Sequence, residues 1–178
     1  MFGALRKVKS VRVAGRRLSE ILEAHERFVR AAEGGARADL GGADLAHVDL
    51  SGAVLVHANL AGARLEGASL REAKLSSADF SRARMQKADL RTCDATGANF
   101  SGADLTEADL SGAELFRADF SASVMRKAVV RAANFRQANL RNADLTGADL
   151  NIASLRQTDL EGAKLDGADM QTSIIRKV

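Results

Sequence analysis

From Leu40 onward, a bulky apolar residue returns at every fifth position, through Leu45, Leu50 and Leu55 as far as Met170. Leucine dominates these 27 positions, with Phe80, Phe100, Phe120, Phe135, Met85, Met125, Met170, Val130 and Ala95 as variants. Two residues before each stands a small residue, Ala almost throughout, replaced by Val48, Cys93, Ser123 and Thr158. The residue between them is often Asp or Asn, and the two that follow are mostly Ser, Thr, Gly, Arg, Lys or Glu. An α-helix, at 3.6 residues per turn, would scatter such a period around its axis. A straight strand would send successive repeats to opposite faces, because five is odd. The small and bulky residues of one repeat are two apart, so in an extended segment they share a side. A chain that turns after each pair keeps every pair pointing inward. Ten of the 15 glycines lie two residues after a bulky centre, as at Gly102, Gly112 and Gly147, where such a turn needs conformational freedom. The pattern predicts an all-β solenoid whose coils contact mainly their neighbours.

The tandem units in "ANFSGADLTEADLSGAELFRADF", residues 98–120, have the form A(D/N)LXX. The chain closely resembles the pentapeptide-repeat family over about residues 36–175. The resemblance implies a right-handed quadrilateral β-helix with four units per coil and about seven coils. At ~4.8 Å between stacked strands, the rod would be roughly 34 Å long. Spacings of 20 support that register independently. One column reads Leu40, Leu60, Phe80, Phe100, Phe120, Leu140, Leu160, so three phenylalanines stack. The column before it alternates Asp39, Asn59, Asp79, Asn99, Asp119, Asn139, Asp159, short side chains suited to bonding a turning backbone. Lys87, Glu107 and Lys127 form a third column that alternates in sign.

The N-terminus lacks the repeat. Residues 1–18 are a basic segment, a tail or an edge strand such as "VKSVRV", carrying Arg6, Lys7, Lys9, Arg12, Arg16 and Arg17. An arm for anionic lipid, nucleic acid or an acidic partner is the sharper reading of that segment. No aromatic interleaving supports nucleic-acid stacking. Residues 19–35 predict an amphipathic α-helix and its stop. Ile21, Leu22, His25, Phe28, Val29 and Ala32 form one stripe, Ser19 is the N-cap, and Gly34–Gly35 end it. A helix there would cap the first coil of a β-helix spanning residues 36–178; a membrane or a partner is the other surface such a stripe serves. At the far end Met170, Ile174 and Ile175 are left for end-to-end association, a possible homodimer.

Charge and chemistry narrow the function. The net charge is +3, but residues 1–35 hold eight Lys/Arg against four Glu, and the rest of the chain holds 18 against 19 acids. The repeat body is therefore near neutral. The single Cys93 excludes an internal disulfide, and no apolar run approaches a membrane span, which fits a cytoplasmic chain. No catalytic constellation, cofactor motif or metal set emerges. His25 lies on the helix stripe, and His47 and His57 fall two units apart, on opposite sides of a four-sided coil. Cys93 replaces an inward small residue and reads as a packing thiol.

Function then belongs to the outside. In "SASVMRKAVVRAANF", Val124 and Val129 replace the usual Asp or Asn beside Arg126, Lys127 and Arg131, with Phe116 an outward aromatic one repeat earlier. Apolar residues ringed by Arg make a candidate interaction patch. The leading expectation is a non-enzymatic scaffold presenting rigid faces to a protein partner, with no specific nucleic acid bound. The resemblance implies an alternative, because some family members imitate duplex DNA, bind type II topoisomerase (gyrase) and carry a C-terminal dimerisation element. That activity needs a strongly acidic surface, and here the body is neutral and Arg71, Arg91 and Arg131 share one column. A membrane-surface module acting through the basic N-terminus is the third class.

Overall fold

The computed structural model describes residues 5–173. Within the repeat, each residue between a small and a bulky position forms a parallel bridge with the residue 20 later, from Asp39 with Asn59 to Asp149 with Asp169. Four units therefore make one coil, and the bridges define four faces, named here by their first members Asp39, Asp44, Asp49 and Val54. Each coil donates upward and downward: Leu60 N–H bonds the Asp79 carbonyl at 2.7 Å, and Asn59 N–H bonds that of Ala38 at 3.0 Å.

Between faces the chain turns tightly. The small residue's N–H closes on the preceding bulky residue's carbonyl, as Ala103 does on Phe100 at 3.0 Å. The residue before the small one takes a left-handed φ at every repeat, whether Gly102 at 64° or Glu107 at 59°. Glycine is free there, and other residues carry modest strain that the surrounding ladder of hydrogen bonds holds in place.

The interior is a continuous apolar column, sealed from solvent from Leu40 through Leu155. Phe80, Phe100 and Phe120 stack with centroids 5.0 and 4.7 Å apart and planes within 9°. Each such aromatic pair contributes about 0.5–1.5 kcal/mol beyond its area burial. Cys93 lies among these walls, buried.

The N-terminal segment is more structured than a tail. Strand β1 (Arg6–Lys7) pairs in parallel with β4 (Val48–Asp49), extending the Asp49 face by one rung. A 3-10 turn at Val8–Ser10 leads to a hairpin of β2 (Arg12–Val13) and β3 (Arg16–Arg17). Ala14 and Gly15, both at positive φ, form its two-residue turn. Helix α1 (Leu18–Val29) begins one residue before the expected start. Glu20, not Ser19, serves its N-terminus by accepting the Arg17 backbone N–H at 3.3 Å. The helix also ends earlier than the two glycines, because Ala31 turns to a φ of 52°. Gly35 has a different purpose: a Cβ there would collide with the Phe28 backbone. Leu18 and Ile21 join the core and Leu22 packs against it, whereas Phe28, Val29 and Ala32 of the expected stripe are exposed, so only the first half of the stripe covers the column of repeats.

Candidate interaction surface

The outward polar residues are tied down locally. Along the Asp39 face, each Asp or Asn accepts the backbone N–H two residues on, for example Asp79 from Ser81 at 2.9 Å and Asn99 from Ser101 at 3.0 Å. The alternation of Asp with Asn has a chemical reason. An Asn amide donates upward to the Asp before it, as Asn59 to Asp39 at 2.7 Å and Asn139 to Asp119 at 3.0 Å. The carboxylates of this face thus spend much of their hydrogen-bonding capacity on the protein itself. Elsewhere arginines neutralise them: Arg91 pairs with Asp89 at 2.6 Å, Arg126 with Asp144 at 2.7 Å and Arg131 with Asp149 at 3.2 Å. Arg141 bridges Asp159 and Glu161. Lys87 meets Glu107 at 3.6 Å, as the sign alternation anticipates. The Thr146 hydroxyl, with Arg126 in support, holds the Asp144 carboxyl at about 2 against the opposing effect of burial.

Four of the six candidate patch residues share one corner of the coil, and Arg131 sits at the next corner, across the Asp49 face. Val124 lies on the Asp44 face and Val129 on the adjoining Asp49 face, both half-buried, with exposed Arg126 and Lys127 at the corner between them. Arg131 is exposed just beyond Val129. Asp104 and Asp144 flank Val124 along its ladder, and Asp109 and Asp149 flank Val129. The result is a small apolar strip with a paired, charged rim. Phe116 is not part of it. It stands ten residues before Arg126, half a coil away, on the opposite corner, with the Arg117 guanidinium 4.8 Å over its ring. The signal was available in the sequence as that ten-residue spacing.

At the C-terminal end, Met170 is half-buried, as are Leu160 and Leu165, in contrast to the sealed columns before them. Ile174 and Ile175 lie outside the described residues.

The chemistry-bearing residues occupy unreactive settings. Burial pushes the Cys93 thiol up to about 12, so it stays protonated near neutrality. His47 and His57 are turn residues at positive φ. His25 is buried, its Nδ1 accepting the Ala38 backbone N–H at 3.0 Å, with its ring stacked on Phe28. Among the described residues, no group of His, Cys, Asp and Glu could hold a metal ion. A shallow groove of about 1010 Å³ runs along the Asp49 face, lined by residues of mixed charge that include His47, Arg71, Lys87, Asp89 and Arg91. Among the described residues, no helix is long and apolar enough to cross a membrane.

A coil of four five-residue units, repeated along nearly the whole chain, defines a class of protein as well as a shape. The family described as pentapeptide repeats (8 copies) matches residues 36–72, 73–112, 113–151 and 153–177, and the chain belongs to that family. The structure is similar to that of a trypsin-treated form of QnrB1, a plasmid-mediated fluoroquinolone resistance protein. The TM-score is 0.67 at 23% identity, covering 79% of this chain and 80% of that one, a likeness of fold. A pentapeptide repeat protein from the Arabidopsis thaliana thylakoid lumen is 30% identical with a TM-score of 0.50, over 58% of this chain and 69% of that one. No curated protein matches the chain in sequence.

Proposed function

We propose that this chain is a non-enzymatic interaction scaffold: a right-handed rod of about seven coils, closed at its N-terminal end by α1, that presents rigid faces to a partner protein. The observation that carries the reading is the self-bonded outer wall. Side chains such as Asp104 already hold Thr106 N–H at 3.0 Å and Gln86 at 2.6 Å, so little ordering entropy remains to be lost on docking. The docking patch is the corner formed by Val124, Arg126, Lys127 and Val129, with Arg131 at the far edge of the Asp49 face. In affinity capture from cells of the source organism, the double variant Val124→Asn/Val129→Asn, whose amides can donate to the flanking carboxylates as Asn59 does to Asp39, keeps the wild-type melting temperature and loses the partner. Unchanged capture by the variant removes this patch from the account.

Membership of the pentapeptide-repeat family raises type II topoisomerase (gyrase) as the alternative partner, with the rod standing in for DNA. Duplex DNA carries one negative charge per about 1.7 Å of axis. The arginine–aspartate pairs and the near-neutral body speak against that imitation. The expected result of a gyrase supercoiling assay is no protection from inhibitor at stoichiometric amounts of this chain; protection would install the DNA-mimic reading instead.

A second copy is a further partner, seated end to end over Leu160, Leu165 and Met170, with Ile174 and Ile175. Half-buried core residues at that end favour it. Light scattering at high micromolar concentration would give twice the monomer mass, and a monomeric mass refutes the dimer.

A further inference from the structure

The cap at the N-terminal end contains a pairing that costs stability. In the β2–β3 hairpin, Arg12 stands directly opposite Arg17, and Arg16 opposite Val13. Like charges directly across an antiparallel pair repel. All three arginines are exposed, as are Lys7 and Lys9 beside them. The cap's ion pairs are Arg6 with Asp44 and Arg30 with Glu26. Among the described residues, no carboxylate reaches ion-pair distance of Lys7, Lys9, Arg12, Arg16 or Arg17. Many of the rod's arginines, by contrast, are neutralised: Arg84, Arg91, Arg126, Arg131 and Arg141 each meet a carboxylate.

The same module carries the exposed apolar residues. Leu5, Phe28 and Val29 are 42%, 41% and 40% exposed, and Ile152 is the one further large apolar residue of that kind among the described residues. A lipid headgroup region takes up both cations and apolar groups. The charge asymmetry points the same way, since the excess of Lys/Arg over acids is confined to residues 1–35.

We propose that the N-terminal cap, through Arg12, Arg16, Arg17, Lys7 and Lys9 with Leu5, Phe28 and Val29, docks the end of the rod onto an anionic lipid surface. This site is independent of the partner that the rod's faces take. The hairpin holds its arginines together without a counter-charge, and the lipid headgroups supply it. Each basic residue at such a surface changes partition about fivefold.

The test is sedimentation of the full chain with vesicles of phosphatidylcholine alone and vesicles containing phosphatidylserine. Binding is expected to the second kind, weakening as salt is raised. Arg12→Gln/Arg16→Gln/Arg17→Gln should reduce partition about 100-fold while leaving the melting temperature unchanged or higher, because the repulsion is relieved. Leu5→Ser should weaken binding by a smaller factor. Arg141→Gln, on the rod and outside the docking corner, should bind like wild type. Equal binding to both vesicle types, no binding to the anionic vesicles at low salt, or undiminished binding by the triple variant overturns the proposal. So does retention by duplex DNA in place of vesicles, which would assign the hairpin to nucleic acid.

Discussion

Ser123 stands where nearly every other repeat places Ala. It is buried beneath Val124, and its hydroxyl finds no hydrogen-bond partner. A buried hydroxyl without a partner costs about 1–3 kcal/mol. Ser123→Ala restores the usual inward residue and should raise unfolding free energy by about 1 kcal/mol in chemical denaturation; an unchanged or lower value would show that the hydroxyl is satisfied. Residue by residue, the inward pattern was the most legible part of the sequence, because nearly every core position holds an apolar side chain of fitting size. Cys93 was read correctly as packing for that reason. The outward residues were less legible. Phe116 looked like a neighbour of Val124 because the two are close in sequence, yet half a coil of chain carries it to the opposite corner.

At the scale of elements, α1 and the hairpin carry the information that periodicity lacks. Strands of two residues cannot show an alternation, so the segment read as a basic run with an edge strand offered at "VKSVRV"; there Val8–Ser10 form a 3-10 turn and only Arg12–Val13 a strand, while the rung on the rod is β1 at Arg6–Lys7. The helix was visible through its stripe, but its first residue depended on Glu20 reaching back to Arg17, a geometric detail. The stripe also concealed a specific bond. His25 Nδ1 accepts the Ala38 N–H at the entry to the first coil, and only the neutral ring has a lone pair there. Burial, with Arg37 and His57 nearby, lowers the pKa of His25, while the Val56 carbonyl and Glu26 offset part of that. The folded chain therefore keeps the ring neutral while the unfolded chain takes up a proton. Stability is full above the ordinary value of 6.5 and is lost as pH falls below it. The melting temperature should drop between about pH 7.5 and 5.5, and in His25→Phe the drop over that window should largely disappear. An equal drop in the variant would assign the effect to other groups.

For the whole molecule, the account is a rod built around a continuous apolar column. The fold was legible because a 20-residue register repeats in three separate kinds of column: stacked aromatics, Asp–Asn ladders and the Lys87–Glu107 pair. The partner was not legible, because a face made of local hydrogen bonds looks much the same whatever it meets. Two corners, placed apart by the geometry, make the functional claim testable. The most direct measurement is affinity capture with wild type, Val124→Asn/Val129→Asn and Phe116→Ser in parallel, each first shown to melt alike. The account predicts that wild type and Phe116→Ser retain the same partner and that the double variant loses it. Retention by the double variant, or loss through Phe116→Ser alone, would contradict it.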